Sequence, residues 1–320
     1  MEGRITPCFY DLRKDYVPAS LSVIMEITIL GSGGCTRIPR PGCRCPVCTE
    51  ARQKGIPYSR SGPSLFLHDS NALFDTPEDI FQQLNREDID QVDSIFYTHW
   101  HPDHTLGMRV IEQLNMDFLG EYVHEPLHGT PIRVCAVKGV MEDLLSIQSI
   151  YGSFFTYYAA HDLIALTTLT ENCPLKIDSI EITPILTPGS SSPLSPLKAS
   201  LFVIADHEKK MIYASSNCAP FDSLLTPPLL QDSALLIIGD ILPKGPLKGG
   251  YRISPKNPLR EEMITLHELV NIISSLGIER TIVVHIEEEW GKSYTDYRQM
   301  EKQYREHNIY FGYDGQKIHL

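Results

Sequence analysis

The 320-residue sequence has no uninterrupted run of eighteen apolar residues, so we expect no transmembrane helix and no membrane partner. The first 25 residues carry charged side chains and Pro18 where a secretory signal needs an apolar core. We therefore expect a cytoplasmic protein. The first convincing strand begins at Met25, so residues 1–24 are predicted to be an N-terminal extension.

Positive charge is also scarce. Lys and Arg total 28 against 40 Asp and Glu, giving a net charge of -12, which argues against extensive nucleic-acid binding. The eight cysteines follow no export signal, so we interpret them as reduced thiols and metal ligands rather than a disulfide framework. A homodimer is compatible with the sequence.

Short β-rich segments alternate with helical patterns along the chain, which predicts an α/β fold with two sheets covered by helices. The predicted strands are MEITIL, PSLFLHDSNALFD, VDSIFYT, IRVCAV, SIEITPIL, ASLFVIA, KKMIYAS, ALLIIGDI and RTIVVHI. The predicted helices are 78–85, 103–116, 139–150, 262–276 and 295–307. Regular structure resumes directly after the loops 187–198 and 243–260, so we predict one domain over residues 25–320.

The segment THWHPDH, residues 98–104, concentrates ligand-type side chains after the apolar segment VDSIFYT. On an extended chain His99 and His101 point to one side, and Asp103 and His104 follow at the turn into a helix. Imidazoles and a carboxylate suit zinc, iron or manganese. We therefore predict a site for one or two divalent ions here, rather than chance surface histidines.

A second cluster lies in GCRCPVC, where Cys43, Cys45 and Cys48 form a C-x-C-x-x-C arrangement in a proline-containing loop. Thiolates this close converge on a tetrahedral zinc with little rearrangement, which predicts one structural zinc. Free thiols or a redox pair are the alternative. The insertion that carries this knuckle is predicted at about residues 35–52.

A basic segment within this acidic chain follows Asp240, the last residue of an apolar strand. It is free of Asp and Glu over residues 242–260, and an anionic substrate would bind there. The predicted substrate-binding residues are Lys244, Lys248 and Arg252. A solvated loop is the alternative interpretation.

THWHPDH resembles the H-x-H-x-D-H signature of the metallo-β-lactamase fold, a four-layer αββα sandwich. ILGSGGCTRIPRPGCRCPVCTEARQ, RSGPSLFL and ALFDTPEDI resemble the amino-terminal part of the PhnP-type cyclic-phosphate phosphodiesterases and the related PqqB-like proteins. The resemblance is strong over residues 25–110, weaker beyond them and absent before Met25.

By this resemblance, His99 and His101 hold a first ion, while Asp103 and His104 hold a second and carry the catalytic role. His285, at the end of RTIVVHI, completes the second site. The resemblance also implies a histidine as the fourth ligand of the structural zinc. Glu288 stands at that position, and Cys35 is the competing fourth ligand.

Two ligands that the resemblance implies are missing. The chain has no histidine between His161 and His207, and Ser216 stands where a bridging aspartate is expected. Two imidazoles alone bind an ion weakly, so we predict either a single ion or a recruited ligand. Asp240 is the first candidate for that ligand, with a helix or loop cap as the alternative, and Asn217 and Cys218 are weaker candidates.

The sequence therefore predicts a metal-dependent hydrolase that cleaves a small phosphodiester or cyclic phosphate with a metal-activated water. The missing ligands favour a different class, a non-catalytic PqqB-like protein that binds metal or a small ligand. An RNA-processing nuclease of the same fold needs an RNA-docking arm and a wider basic face, and the sequence shows neither. The remaining histidines are predicted to be structural: His68, His124, His128, His161, His207, His267, His307 and His319.

Overall fold

The computed structural model describes residues 25–116, 129–187, 197–218, 228–254, 256–257 and 259–320. The predicted N-terminal extension, His124 and His128 lie outside these residues. Within the described ranges, every helix is too short or too polar to cross a membrane.

Seven strands form a first sheet: β1 (Glu26–Gly31), β2 (Ser64–Leu67), β3 (Ala72–Phe74), β4 (Ser94–Phe96), β5 (Ile132–Val137), β8 (Ile164–Leu169) and β18 (Gln316–His319). Their order is β18-β1-β2-β3-β4-β5-β8. The pairing is antiparallel from β18 to β3 and parallel from β3 to β8.

Seven more strands form a second sheet: β9 (Leu175–Ile177), β10 (Ile180–Leu186), β11 (Ser200–Ala205), β12 (Lys210–Ala214), β13 (Leu235–Ile238), β16 (Thr281–Val283) and β17 (Ile309–Phe311). Their order is β17-β16-β13-β12-β11-β10-β9, and β12, β13, β16 and β17 are parallel. Two small pairs complete the strands: β6 (Gln148–Ser149) with β7 (Gly152–Ser153), and β14 (Ile241–Leu242) with β15 (Ile264–Thr265).

The helices are α1 (Pro46–Lys54), α2 (Ile80–Arg86), α3 (Pro102–Thr105), α4 (Val110–Asn115), α5 (Lys138–Leu145), α6 (Phe154–Ala160), α7 (Leu259–Glu262), α8 (Leu266–Leu276) and α9 (Tyr294–Gln303). Helix α8 begins where the Thr265 hydroxyl accepts from the Glu268 N–H and the Glu268 carboxylate accepts from the Thr265 N–H. This capping box satisfies donors that a helix start otherwise leaves free.

The two sheets pack face to face. The ring of Phe74 in the first sheet lies 5.4 Å from those of Phe202 and Tyr213 in the second. Apolar side chains of α5 join this central core, while those of α8, such as Leu269, join a second core on the outer face of the second sheet. Each sheet thus packs against the other sheet on one face and against helices on the other face, which produces four layers. The predicted αββα sandwich is confirmed.

Parallel pairing determines where the polar side chains meet. Because β3 and β4 are parallel, as are β12, β13 and β16, their carboxyl ends lie at shared sheet edges. Side chains that follow these ends converge there. The residues concerned are Asp75 after β3, His99 after β4, Ser216 after β12, Asp240 after β13 and His285 after β16.

Several predicted helix boundaries were wrong. The helix expected over 103–116 is two helices, because the Gly107 N–H donates to the Thr76 carbonyl at 2.8 Å instead of continuing the helix. A Cβ at Gly107 would lie 2.0 Å from the Pro77 carbonyl oxygen, so only glycine permits this approach. The helix expected over 139–150 ends at Leu145, ahead of the β6–β7 pair. Helices α1 and α6 were not predicted.

Candidate metal centre

The histidine-rich turn joins β4 to α3. His101 precedes the first residue of α3, and Pro102 takes the first helical position, where its missing N–H costs no hydrogen bond. This turn folds the motif onto itself. The ring centroid of His99 lies 4.6 Å from that of His101 and 4.1 Å from that of His104.

Three possible ligand atoms form a compact triangle. His104 Nε2 lies 3.4 Å from His285 Nε2 and 3.5 Å from Asp103 Oδ2, and His285 Nε2 lies 3.3 Å from Asp103 Oδ2. For ligands about 2.1 Å from a tetrahedral zinc, the separation between ligand atoms is about 3.4 Å. The donor set and its spacing therefore fit one divalent ion. All three residues are buried.

Asp75 orients the imidazole of His104. Its Oδ2 lies 2.8 Å from His104 Nδ1, and both side chains are fully buried. The Thr98 hydroxyl and N–H also donate to this carboxylate. A carboxylate accepts the Nδ1–H, so the Nε2 lone pair of His104 faces the triangle.

His285 lies between two further carboxylates. Its Nδ1 is 3.2 Å from Asp240 Oδ1 and 3.3 Å from Glu287 Oε1. Burial favours the neutral ring, yet Asp240, Asp103 and Glu287 outweigh it and raise the pKa of His285 well above its usual value. These carboxylates lie beside Nδ1 without hydrogen-bond geometry, so they act on the ring through their charge, while Nε2 faces Asp103 and His104.

Close packing behind His285 excludes a side chain at residue 34. A Cβ on Gly34 would lie 2.6 Å from His285 Nδ1 and 2.1 Å from Glu287 Oε1. The backbone of His285 itself has a φ of 53°, and that of Asp240 has a φ of 55°. Left-handed backbone in non-glycine residues costs conformational energy and is concentrated at functional sites.

The charge of the triangle is mixed. Burial favours the neutral acid, but the imidazoles of His104 and His285 hold the pKa of Asp103 well below its usual range. For His99, burial comes first and the neighbouring imidazoles add to it, so its pKa lies well below the usual value. With its raised pKa, His285 is protonated at neutral pH, so an ion at the triangle would have to displace a proton from His285 beside the ionised Asp103 carboxylate.

Asp240, which the sequence suggested as a recruited ligand beside His99 and His101, lies next to His285. Its carboxylate lies on the Nδ1 side of His285, away from the three clustered atoms, and accepts from Ser216 Oγ at 3.0 Å and from the Asn217 N–H at 2.6 Å. The sequence predicted that Asp240 lies at this sheet edge, but it did not predict that the carboxylate lies beside Nδ1 of His285. Cys218 is buried, and its Sγ contacts the Ser216 carbonyl oxygen.

The cysteine group is a second cluster of possible ligands. The Sγ atoms of Cys43, Cys45 and Cys48 each lie 3.2 Å from Glu288 Oε1. In a tetrahedral zinc site, thiolate sulfur and carboxylate oxygen are about 3.5 Å apart. Cys45 is the residue before α1, and its sulfur accepts from the Cys48 N–H. These four residues fit one zinc ion.

Glu288, rather than Cys35, meets the three thiols among the residues that the structure describes. Cys35 is exposed, and its N–H donates to Glu287 Oε1 at 3.1 Å. Burial opposes the charged carboxylate, yet Lys248 and the thiols hold the pKa of Glu288 at about 2. The carboxylate is therefore ionised at neutral pH.

The predicted substrate-binding lysine Lys248 belongs to this cysteine group. Its Nζ donates to Glu288 Oε1 and lies 3.2 Å from Cys43 Sγ. This differs from the sequence prediction because residues 248–250 form a short 3-10 turn that packs against Gly291 instead of extending over the centre. Lys244 and Arg252 are exposed, as expected for either a substrate loop or a solvated one.

Sequence reasoning missed the polar residues that orient the ligands, namely Asp75, Thr98 and Glu287. Each is an ordinary residue type outside any ligand spacing, so the chain pattern gave no direct signal for Thr98 or Glu287. Asp75 alone had one, since a polar residue directly after the apolar strand ALF lies at the edge where the histidines were expected.

A family model described as a beta-lactamase superfamily domain matches residues 70–286, more than half of the chain. The chain belongs to the beta-lactamase superfamily. This membership supports metal-dependent hydrolysis as its class of chemistry. A curated relative, an octanoyltransferase of Porphyromonas gingivalis, is 32% identical over 136 residues, which cover 36% of this chain and 27% of that protein. The match therefore spans only a minor part of the relative.

Solved structures share the superfamily fold over nearly the whole chain. A diphosphatase of the PhnP family has a TM-score of 0.69 and 20% identity, covering 93% of this chain and 98% of its own. Zinc-bound PqqB of Methylobacterium extorquens has a TM-score of 0.67 and 15% identity, covering 92% and 100%. YhfI of Bacillus subtilis has a TM-score of 0.62 and 13% identity, covering 93% and 100%. The predicted resemblance to PhnP and PqqB proteins is confirmed at the level of fold.

Proposed function

We propose that this beta-lactamase superfamily chain is a metal-dependent hydrolase that cleaves a small phosphodiester or cyclic phosphate. The triangle of His104 Nε2, His285 Nε2 and Asp103 Oδ2 carries the proposal, because its edges of 3.3 to 3.5 Å suit one ion. Three protein ligands leave one coordination position for water or substrate, which is the arrangement of catalytic rather than structural zinc.

Side chains around the triangle orient its imidazoles toward this open coordination position. Asp75 keeps His104 in one tautomer, and the Asp240 carboxylate lies 3.2 Å from His285 Nδ1. Burial of the triangle removes competing water and strengthens its electrostatic interactions. A divalent ion held by Asp103, His104 and His285 would lower the pKa of a bound water and neutralise charge on a substrate oxygen.

The substrate class is supported by the resemblance of residues 25–110 to PhnP-type phosphodiesterases. The likeness in fold to a PhnP-family diphosphatase agrees with it. Lys244 and Arg252, exposed on the loop that follows Asp240, offer positive charge for a phosphate group in a protein whose net charge is -12. A small anionic substrate fits this limited basic surface better than a long nucleic acid.

A decisive experiment measures hydrolysis of bis-p-nitrophenyl phosphate and of a 2′,3′-cyclic nucleotide, together with metal content. We expect His104→Ala and His285→Ala to abolish turnover and to remove the ion at the triangle, while the cysteine group keeps its zinc. His207→Ala is the matched control, because His207 is exposed and lies between β11 and β12, at the end of the second sheet opposite the carboxyl end of β12. Activity that survives both ligand changes would falsify the assignment.

A non-catalytic, PqqB-like binding protein is the second candidate. The observation that favours it is Ser216 at the place of an expected bridging aspartate, together with the fold likeness to zinc-bound PqqB. The two candidates differ in metal content: the binding protein predicts that all metal disappears when Cys43 and Cys45 are changed to serine. Metal that remains in that variant supports the hydrolase.

A further inference from the structure

The polar residues around His99 form one continuous hydrogen-bonded chain. It starts at Asp75, whose carboxylate accepts from the Thr98 hydroxyl at 2.8 Å. With its hydrogen committed there, Thr98 Oγ1 accepts at 3.0 Å from His99 Nδ1. His99 therefore carries its hydrogen on Nδ1, and its Nε2 has a free lone pair.

Asn217 uses that lone pair. Its Nδ2 lies 3.1 Å from His99 Nε2 and 2.8 Å from Ser216 Oγ, so both amide hydrogens have an acceptor. Ser216 in turn donates to Asp240 Oδ2 at 3.0 Å. The opposite amide orientation would require a hydrogen on His99 Nε2, which the network from Asp75 excludes.

The first metal site of the superfamily pattern therefore does not fit this chain. His99 is fully buried, and its only lone pair accepts a hydrogen bond from the Asn217 amide. His99 and His101 are absent from the compact ligand groups of the described residues. A metal on His99 Nε2 would displace the amide and break its bond to the ring.

We infer that the Asn217 amide takes the place of a first metal ion on His99, so that the centre is built for one ion held by Asp103, His104 and His285. The inference rests on the proposed function, which it deepens by fixing the number of ions. His99 then acts through its ring contact with His104, a positioning residue rather than a ligand. Asn217 is suited to this place because its φ of 56° is a conformation that asparagine tolerates.

Manganese is the probe for the test. Mn²⁺ prefers nitrogen and oxygen ligands, so zinc stays with the thiolates and the added ion reports on the triangle alone. We expect equilibrium dialysis to give about one Mn²⁺ per chain for the wild type, since three protein ligands define one site. His104→Ala should lose that ion, and His99→Ala should keep it.

Asn217→Asp is the conversion variant. It removes the amide hydrogens and adds a carboxylate facing His99, so we expect about two Mn²⁺ per chain and the electron paramagnetic resonance signature of coupled manganese ions. Asn217→Gly is the matched control, because glycine adopts the same backbone conformation. This variant removes the amide and adds no ligand, so it should bind about one Mn²⁺ per chain.

The possible outcomes are distinct. Two ions on the wild type overturn this inference while leaving the metal-dependent hydrolase intact. No ion on the wild type overturns the proposed function, and the inference with it. One ion on the wild type and on the Asn217→Asp variant shows that the amide is not what excludes the second ion, which also overturns the inference.

Discussion

Asp75 Oδ2 lies 2.8 Å from His104 Nδ1, and this contact between two fully buried side chains links β3 to the metal-ligand turn after β4. The same carboxylate accepts from Thr98 and, through it, orients His99. A single carboxylate therefore sets the tautomers of two imidazoles.

The first prediction concerns this carboxylate. Asp75→Asn halves its capacity to accept hydrogen bonds and allows His104 to turn or change tautomer. We expect the affinity for the triangle ion to fall about 10- to 100-fold, the usual effect of removing a partner of a metal-ligating histidine. Competition with a fluorescent chelator measures it. The exposed control Asp90→Asn should bind the ion with the affinity of the wild type. If Asp75→Asn also binds it with that affinity, the orienting role of Asp75 is contradicted.

The second prediction separates a positioning residue from a ligand at Asp240. Because Asp240 contacts His285 on the Nδ1 side, Asp240→Asn should leave the ion count unchanged and weaken the affinity about 10- to 100-fold. Calorimetric titration gives both quantities. Asp206→Asn, at the opposite end of the second sheet, is the control. Loss of the ion itself would show that Asp240 is a direct ligand.

The third prediction concerns the cysteine group. Three thiolates and a carboxylate leave a zinc site with two negative charges, and Lys248 offsets one of them. Lys248→Met should therefore speed zinc transfer to a chelator, by about 10-fold or more. Glu288→Ala should lose zinc, whereas Glu288→His should retain it and no longer depend on Lys248. Zinc retention by Glu288→Ala would show that the carboxylate is not a ligand.

The fourth prediction is about stability. Asp314 follows β17, is buried, and accepts from Ser32 and Ser61 through both their N–H groups and their hydroxyls at 2.6 to 2.9 Å. Asp314→Ala leaves four donors without this acceptor and should lower the free energy of unfolding by about 3 kcal/mol or more. Urea titration measures the loss. The exposed control Asp90→Ala should remain within about 0.5 kcal/mol of the wild type.

The sequence predicted the fold because its strands are marked by local pattern. The alternation of β-rich segments with helical patterns predicted two sheets covered by helices, and the resemblance implied the αββα arrangement. The motif of residues 98–104 is a local turn whose spacing alone brings imidazoles together. The hydrogen bond from Gly107 to Thr76 lies between segments distant in sequence, so the break in the helix after α3 had no local signal.

Contacts between segments distant in the sequence also decided which site residues could be predicted and which could not. His285 was predicted from the resemblance. It follows β16 in the second sheet, and its Nε2 lies 3.4 Å from that of His104, which follows β4 in the first sheet. Lys248 was assigned to the substrate because its charge was visible in the sequence but the path of its loop was not. Its partner Glu288 is 40 residues away, and sequence spacing cannot encode such a contact.

The segment from His285 to Glu288 connects the two ligand groups directly. His285 contributes to the triangle and Glu288 to the cysteine group, while the N–H of Ile286 donates to the Ser32 carbonyl and that of Glu288 to the Thr36 carbonyl. A shift of Glu288 can therefore reach His285 through only two intervening residues. Thermodynamic linkage would make any such coupling reciprocal: the factor by which zinc at the cysteine group changed binding at the triangle would equal the factor by which an ion at the triangle changed zinc binding. Zinc at the cysteine group would in this sense act as an effector of the ion at the triangle.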